Sequence, residues 1–404
     1  MSDSPSKPAS LWAPLKNAPF RNLMGTVTVA NMGYFMQTVA AAYLMRLWTD
    51  GDPFMVSLVQ TALFIPPVLL LLPAGALTDV LDRRKFMIFS QSWMMIAAAL
   101  ITLIILGGLH NPWLLLALLM LFAVGYALNI PNQSAIWAEM VGMKDLPQAV
   151  AIYSLTNNLA RIIGPSAAGA LIPIFGAVSM TAFNAVAYIG VIVALLMWRT
   201  SKPRAPMTPQ PWAFMLFGAI AFAKTSAPFR ALLIRGGIFF VVCSIVLAIL
   251  PIKAQQPGDF GLIFSFMGLG AIFGVFSFPR VAHHFSRDVI VGVAIAVNAL
   301  SLLAMAFVDT VLALGVLTGI GGYAWFFVMS ANQVGAQMVL PDAVRGRGMA
   351  LVNLVLMGGY AFGSPMWGMV ASLTDSNTAL IIAGSVSLIA LALTYKMELP
   401  KDRI

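Results

Sequence analysis

Long apolar runs alternate with short polar connections from one end of the chain to the other, and the alternation predicts helices long enough to cross a bilayer. The runs fall at 22–48, 54–78, 85–107, 112–137, 147–171 and 175–198, then at 230–251, 259–279, 288–307, 310–337, 345–372 and 376–396. About 20 residues at a helical rise of 1.5 Å cover roughly 30 Å of hydrocarbon, and every run meets that length. The fold class expected is therefore an all-α membrane protein with twelve spans.

Between the sixth and seventh runs lies SKPRAPMTPQP from Ser201, whose four prolines forbid a continuous helix. It divides the spans six and six. The apolar stretch that follows, WAFMLFGAIAFAK from Trp212, is too short to span and has cations on both sides, so it is expected to lie flat on the inner surface. The expected organisation is a six-helix bundle over 1–198, a cytoplasmic linker with an in-plane helix over 199–229, and a second six-helix bundle over 230–404.

Composition removes the soluble alternative, since 60% of residues are hydrophobic and 9% charged, against about 25% charged in soluble domains. The net charge of +9 could suggest nucleic acid, but the placement of the cations says otherwise. Lys16 and Arg21, Arg83 to Lys85, Lys144, Arg199 to Arg204, Arg280 and Arg287, Arg345 and Arg347, and Lys396 to Arg403 occupy alternate connections. The connections between them, such as TDGDP from Thr49 and TDSN from Thr374, carry almost no Lys or Arg, with Lys253 the exception. The positive-inside rule then expects both termini in the cytoplasm. Cys243 alone makes an internal disulfide and a thiolate metal cluster impossible. The first 20 or so residues are polar and lack the apolar core of a cleaved signal, leaving the first span as the membrane address.

An internal repeat supports the halving. GYALNIPNQ from Gly125 is answered by GYAWFFVMSANQ from Gly322, and RIIGPSAAGALI from Arg161 by YAFGSPMWGMV from Tyr360, both at a spacing of about 200 residues.

In the connection after the second span, GALTDVLDRRK from Gly75 resembles the G-x-L-x-D-x-x-x-R-[RK] signature of the major facilitator superfamily, matching at Gly75, Asp79, Arg83 and Arg84. The resemblance implies a conformational latch that one state makes and another breaks. A positive-inside anchor would explain the arginines but neither Gly75 nor Asp79. The equivalent stretch of the second half, FPRVAHHFSRD from Phe278, lacks the Gly and the acid. Gly164, Pro165 and Gly169 in the fifth span are similar to the Gly-Pro motif of the antiporter branch, and physically suit a hinge or a tight seal. The whole chain looks like the subgroup of bacterial drug and enterobactin exporters. That resemblance implies two pseudo-symmetric bundles, alternating access, an inner-membrane location, a monomer and no cofactor.

Ionisable groups at membrane depth are functional candidates by default. Arg161 lies about 14 residues into its span, roughly 20 Å at helical rise, with Asn157 and Asn158 on its helix face. The patch suits an anionic or hydroxyl-rich solute; an arginine satisfied by a neighbouring helix is the plain alternative. Arg46 and Arg235, near span ends, are expected to snorkel. Asn31, Gln37, Tyr126, Asn132, Gln133, Tyr323, Trp325, Asn332 and Gln333 are candidate cavity residues in the first, fourth and tenth spans, about half of them expected to be helix-to-helix contacts instead. No acid sits mid-membrane, so Asp79 and Glu139 are the candidates for proton coupling, the other routes being the substrate's own charge or no coupling.

The function expected is export of an amphipathic or anionic small molecule, siderophore-like or drug-like, by alternating access with proton antiport. A lipid or lysolipid flippase and a non-transporting receptor or scaffold are the alternatives. The partners expected are the solute, the bilayer and protons, with no nucleic acid and no metal. An enzyme finds no support, because HExxH, P-loop and GxSxG patterns are all absent.

Overall fold

Seven helices begin where the sequence supplies a capping side chain, and four of these also carry a proline in the first turn. Asn17, Asp52, Asp82, Asn111, Ser226, Ser286 and Asp375 each accept a hydrogen bond from a backbone amide in the first turn of the helix that follows. In this computed structural model, which describes residues 12–198, 212–254, 256–341 and 344–399, those starts open α1 (Ala18–Trp48), α2 (Pro53–Val80), α3 (Arg83–Leu106), α4 (Pro112–Met197), α6 (Ala227–Cys243), α9 (Arg287–Met305) and α12 (Ser376–Thr394). The remaining helices are α5 (Trp212–Thr225), α7 (Ile245–Lys253), α8 (Pro257–His284), α10 (Val311–Val339) and α11 (Arg345–Leu373).

Among the described residues nine helices are long and apolar enough to cross a membrane, α6 and α7 counting as one. The longest, α4, has 86 residues and holds three spans, because the backbone leaves helical conformation at Gly142 and Gly176, both at φ 75°. Glycine reaches that left-handed region without steric cost. The expected connection around Lys144 and Asp145 is therefore helical up to a single-residue break. α1 has 31 residues and supplies the remaining span, its hydropathy lowered by Asn31, Gln37 and several threonines. With α1 and the three legs of α4, the spans number twelve.

α5 forms the expected short helix at Trp212 and packs against α2, α6 and α11. The linker 201–211 lies outside the described residues.

Two seams join the halves, α2 against α11 and the second leg of α4 against α8. Each pairs the second span of one half with the fifth of the other, as pseudo-twofold symmetry requires. At one end the seams are tight. Ser372 Oγ lies 2.9 Å from Asp52 Oδ1, Ser364 donates to Ser57 O at 3.1 Å, Thr61 donates to Ala361 O at 3.1 Å, and Phe64 stacks on Tyr360 at 5.1 Å. Across the second seam Ser166 Oγ meets Ser265 Oγ at 2.5 Å. Arg46 adds a bond to Ala254 O from the end of α1. At the opposite end, by the basic connections, an added Cβ on Gly75 would meet nothing within 4 Å. The halves are closed at the Asp52 end and parted at the Arg83 end.

Candidate functional site

Where the seams stop, α1, α2 and the first two legs of α4 face α6, α7, α8, α10 and α11 across a cavity of about 200 Å3. Eight aromatic side chains line it: Tyr34, Phe35, Phe64, Tyr126, Phe240, Phe264, Trp325 and Tyr360. Asn31, Thr38, Gln60, Asn157 and Asn353 add neutral polar groups, and among the described residues Arg161 is the single cation of the lining, which holds no acid or histidine.

Arg161 is placed by the cavity's aromatic walls. Its guanidinium carbon lies 4.8 Å from the Trp325 ring centroid and 5.6 Å from that of Phe35. A cation over aromatic faces is attracted by the ring quadrupole, by about 2 kcal/mol where water is excluded. Phe35 and Arg161 belong to the first half and Trp325 to the second, so the contact spans the two bundles. Among the described residues Arg161 Nε has no hydrogen-bond partner, although it is shut off from solvent. A buried donor of that kind has electrostatic capacity left for an anion.

The sequence candidates divide into three groups. Asn31, Tyr126, Asn157, Arg161 and Trp325 meet in the cavity. Gln333 stands one step behind it, donating to Asn353 Oδ1 at 3.0 Å. The others lie elsewhere. Gln37 is buried and accepts from Asn184 Nδ2 at 2.8 Å, tying α1 to α4; Asn132 donates to Arg83 O at 2.8 Å; Asn332 donates to Val328 O at 2.9 Å and packs on Gly236. Asn158 donates to Ser154 O at 2.9 Å on its own helix. Gln133 faces a water-sized void inside the first half, and Tyr323 lines a separate apolar pocket on the outside of the second. Amides inside a bundle need partners wherever they sit, so polarity alone does not separate cavity from interior.

Sequence reasoning missed Tyr34, Phe35 and Thr38, although with Asn31 they form one stripe of α1 at spacings of three and four. Gln60, the one amide in the apolar run of α2, was a further available signal. Tyr34 and Tyr126 stack with centroids 5.2 Å apart and rings nearly parallel.

At the parted end Arg83 forms an ion pair with Glu139 at 2.9 Å. Arg84 donates to Leu195 O at 2.7 Å and to Leu196 O at 2.8 Å, satisfying carbonyls at the end of α4. Asp79 falls within α2, but its side chain lies outside what is described. Close helix packing, expected at Gly75, is not made in this state. At the Gly-Pro motif the helices are in close contact: the backbone stays helical through Pro165, Gly164 abuts Phe35 and Met32 of α1, and Gly169 abuts Gly258 and Gly261 of α8. Arg235 does not snorkel. It is 3% exposed and pairs with Asp288 at 2.6 Å, because an acid from α9 reaches it sooner than solvent does.

The chain is similar to several known transporters. It is 27% identical over 355 residues to the enterobactin exporter EntS of Salmonella typhimurium, covering 83% of this chain and 82% of that one. It is 22% identical over 367 residues to the multidrug efflux pump Tap of Mycolicibacterium fortuitum, covering 88% of both. An uncharacterized MFS-type transporter of Bacillus subtilis, YfiS, matches at 26% over 189 residues, 44% of its length. Among solved structures the nucleoside transporter NupG, in a point-mutant form, superposes with a TM-score of 0.81 at 13% identity, covering 94% of this chain and 99% of that one. A bacterial homologue of the lysosomal transporter Spinster gives 0.72 at 14%, covering 94% and 96%. The model of the family described as transmembrane secretion effector matches residues 9–403. Twelve spans in two related bundles, a cavity at their meeting and that full-length match carry one conclusion: the chain belongs to this family of the major facilitator superfamily and is a transporter, not an enzyme.

Proposed function

We propose that the protein exports an amphipathic anion, aromatic in part, across a bacterial inner membrane by alternating access. The observation that carries this is Arg161, lone cation of an aromatic cavity, flanked by a ring from each half. An anion there would neutralise the guanidinium while its apolar part stacks on the surrounding rings. The names of EntS and Tap, an enterobactin exporter and a multidrug efflux pump, support the outward direction and the amphipathic class.

In the proposed cycle the basic connections and both termini face the cytoplasm, so the cavity described here is loaded from that side. Closure of the basic ends would bring Gly75, Asp79, Arg83 and Arg84 together as the latch, while the Gly164 to Gly169 seal opens. Proton antiport requires a group that titrates between the two states. Among the described residues the cavity is lined by no acid or histidine, which leaves the Arg83–Glu139 pair and Asp79 at the cytoplasmic edge as the candidates. The working unit is a monomer.

The test is uptake into inverted membrane vesicles of a panel of catecholates, dyes and lysolipids, with and without a proton gradient. Gradient-driven accumulation of aromatic anions, lost in Arg161→Ala, is expected. Accumulation confined to lysolipids would replace the reading with a flippase.

A further inference from the structure

On the outer face of the second half, away from the transport cavity, α8, α9 and α10 enclose a second cavity of about 220 Å3. Val281, Phe285, Val289, Val293 and Phe327 form its apolar walls, and the Tyr323 hydroxyl is engaged with Ser277 Oγ at 3.0 Å. Phe285, Val289 and Val293 are 54%, 47% and 57% exposed, so the slot opens on the surface that faces hydrocarbon. Its lining on α9 runs from Val289 to Val297, about 12 Å at helical rise. Water has no partners in such a slot.

The slot is open at the basic end of the molecule. Val281 lies twenty residues along α8 from Gly261 of the closed seam, about 30 Å at helical rise. There the rim is polar and carries a permanent cation, Arg280. Arg280, His283 and His284 are exposed on the last turns of α8, with His284 Nδ1 2.8 Å from Arg280 O. His284 is one helical turn from Val281, and Arg280 one turn before His284, which places both side chains at the mouth. The nearby acid, Asp288, is occupied by Arg235 and by the Leu399 amide at 3.1 Å.

We propose that this slot is a binding site for an acidic glycerophospholipid, one acyl chain lying along α9 and the phosphate held by Arg280 and His284. The apolar depth fits a hydrocarbon chain, the opening faces the leaflet that supplies one, and the exposed Arg280 guanidinium with the imidazole N–H groups beside it selects an anionic headgroup. A soluble anion would meet the rim but gain nothing from the slot. Bound lipid would fix the spacing of α8 and α10, whose glycines at 270, 319 and 322 hold those helices at backbone contact beside the transport cavity.

Native mass spectrometry of the full chain, delipidated and returned to mixed phosphatidylglycerol and phosphatidylcholine, tests the site. One retained phosphatidylglycerol per chain is expected, lost in Val293→Trp and reduced about fivefold in Arg280→Gln. As a measurement independent of variants, phosphatidylglycerol carrying a photoreactive acyl chain is expected to cross-link between Val289 and Val297. Equal retention of the two lipids, retention that survives Val293→Trp in folded protein, cross-links only at other helices, or a dimer lost in that variant would each overturn the proposal.

Discussion

Gly261→Ala isolates the seam that holds one end of the transporter shut. A Cβ built on Gly261 would stand 2.5 Å from Pro165 O and 2.6 Å from the Gly169 Cα, both backbone atoms that no rotamer change can move aside. Ordinary contact begins near 3.4 Å, so α8 and the middle leg of α4 must part by several tenths of an ångström or more. Overpacking of that kind costs typically about 1–3 kcal/mol. The cost falls only on the state in which this seam is closed, and it therefore moves the equilibrium between the two states by about 5–150-fold. The gain in helix propensity from alanine, about 1 kcal/mol, applies to both states and cancels. The assay is the reaction of Ser364→Cys with a membrane-impermeant maleimide. Ser364 is fully buried in the other seam, on Ser57 O, and the native thiol Cys243 is 2% exposed and stays silent. Gly261→Ala is expected to raise the labelling rate at least about fivefold, the lower end of that shift. Labelling at the parental rate in a protein of unchanged thermal stability would refute the reasoning.

Arg161→Ala is expected to lower binding of a fluorescent aromatic sulfonate by roughly tenfold or more, and Arg161→Lys to recover only part of it, since an ammonium lacks the planar face that lies over Trp325. Gln37→Ala strands Asn184 in the interior and is expected to cost about 1–3 kcal/mol in thermal unfolding while leaving substrate preference unchanged. Asp375 caps α12, and bonds from Thr378 and Asn377 hold its carboxyl below the ordinary carboxylate range. With a depressed folded value, its contribution is present above the unfolded pKa and lost as pH falls through the folded one, so the melting difference between parent and Asp375→Ala is expected to be constant near neutrality and to vanish in acid.

The spans were legible because each is a long apolar run, and the six-and-six division because prolines interrupt the chain between them. The connection between the fourth and fifth spans was legible in place but not in extent, since the residues around Gly142 favour helix and that glycine alone carries the turn. In the cavity, Arg161 and Asn157 were readable as charge and amide at membrane depth, and Trp325 as part of the repeat. Gln37, Asn132 and Asn332 look the same in sequence and yet serve packing, because an amide meets its requirement equally well with Asn184, the Arg83 carbonyl at the start of α3 or its own helix. The aromatic stripe of α1 was hidden for the opposite reason: Tyr34 and Phe35 are apolar enough to pass as lipid-facing. Arg235 was misjudged because its partner Asp288 lies 53 residues away and is brought to it only by tertiary folding, with α6 and α9 both packed on α10 and α12.

Gly75 shows how one state of the molecule carries information about another. Glycine inside a helix costs about 1 kcal/mol relative to alanine, and here the space that its missing side chain would fill is empty. Nothing in the closed seam at the Asp52 end needs it. Under alternating access the basic ends close in turn, and α2 and α11, already packed along one seam, would then approach at this level. The glycine at 75 would stand in that contact as Gly368 now stands against Ser57 and Pro53 O at the other end. Gly75→Ala should therefore raise the thermal stability of the purified protein by about 0.4–1 kcal/mol and slow transport in vesicles, a pairing that a merely structural glycine would not give. A fall in stability would place a neighbour at Gly75 in this state, and a gain with unaltered transport would remove the latch from the cycle.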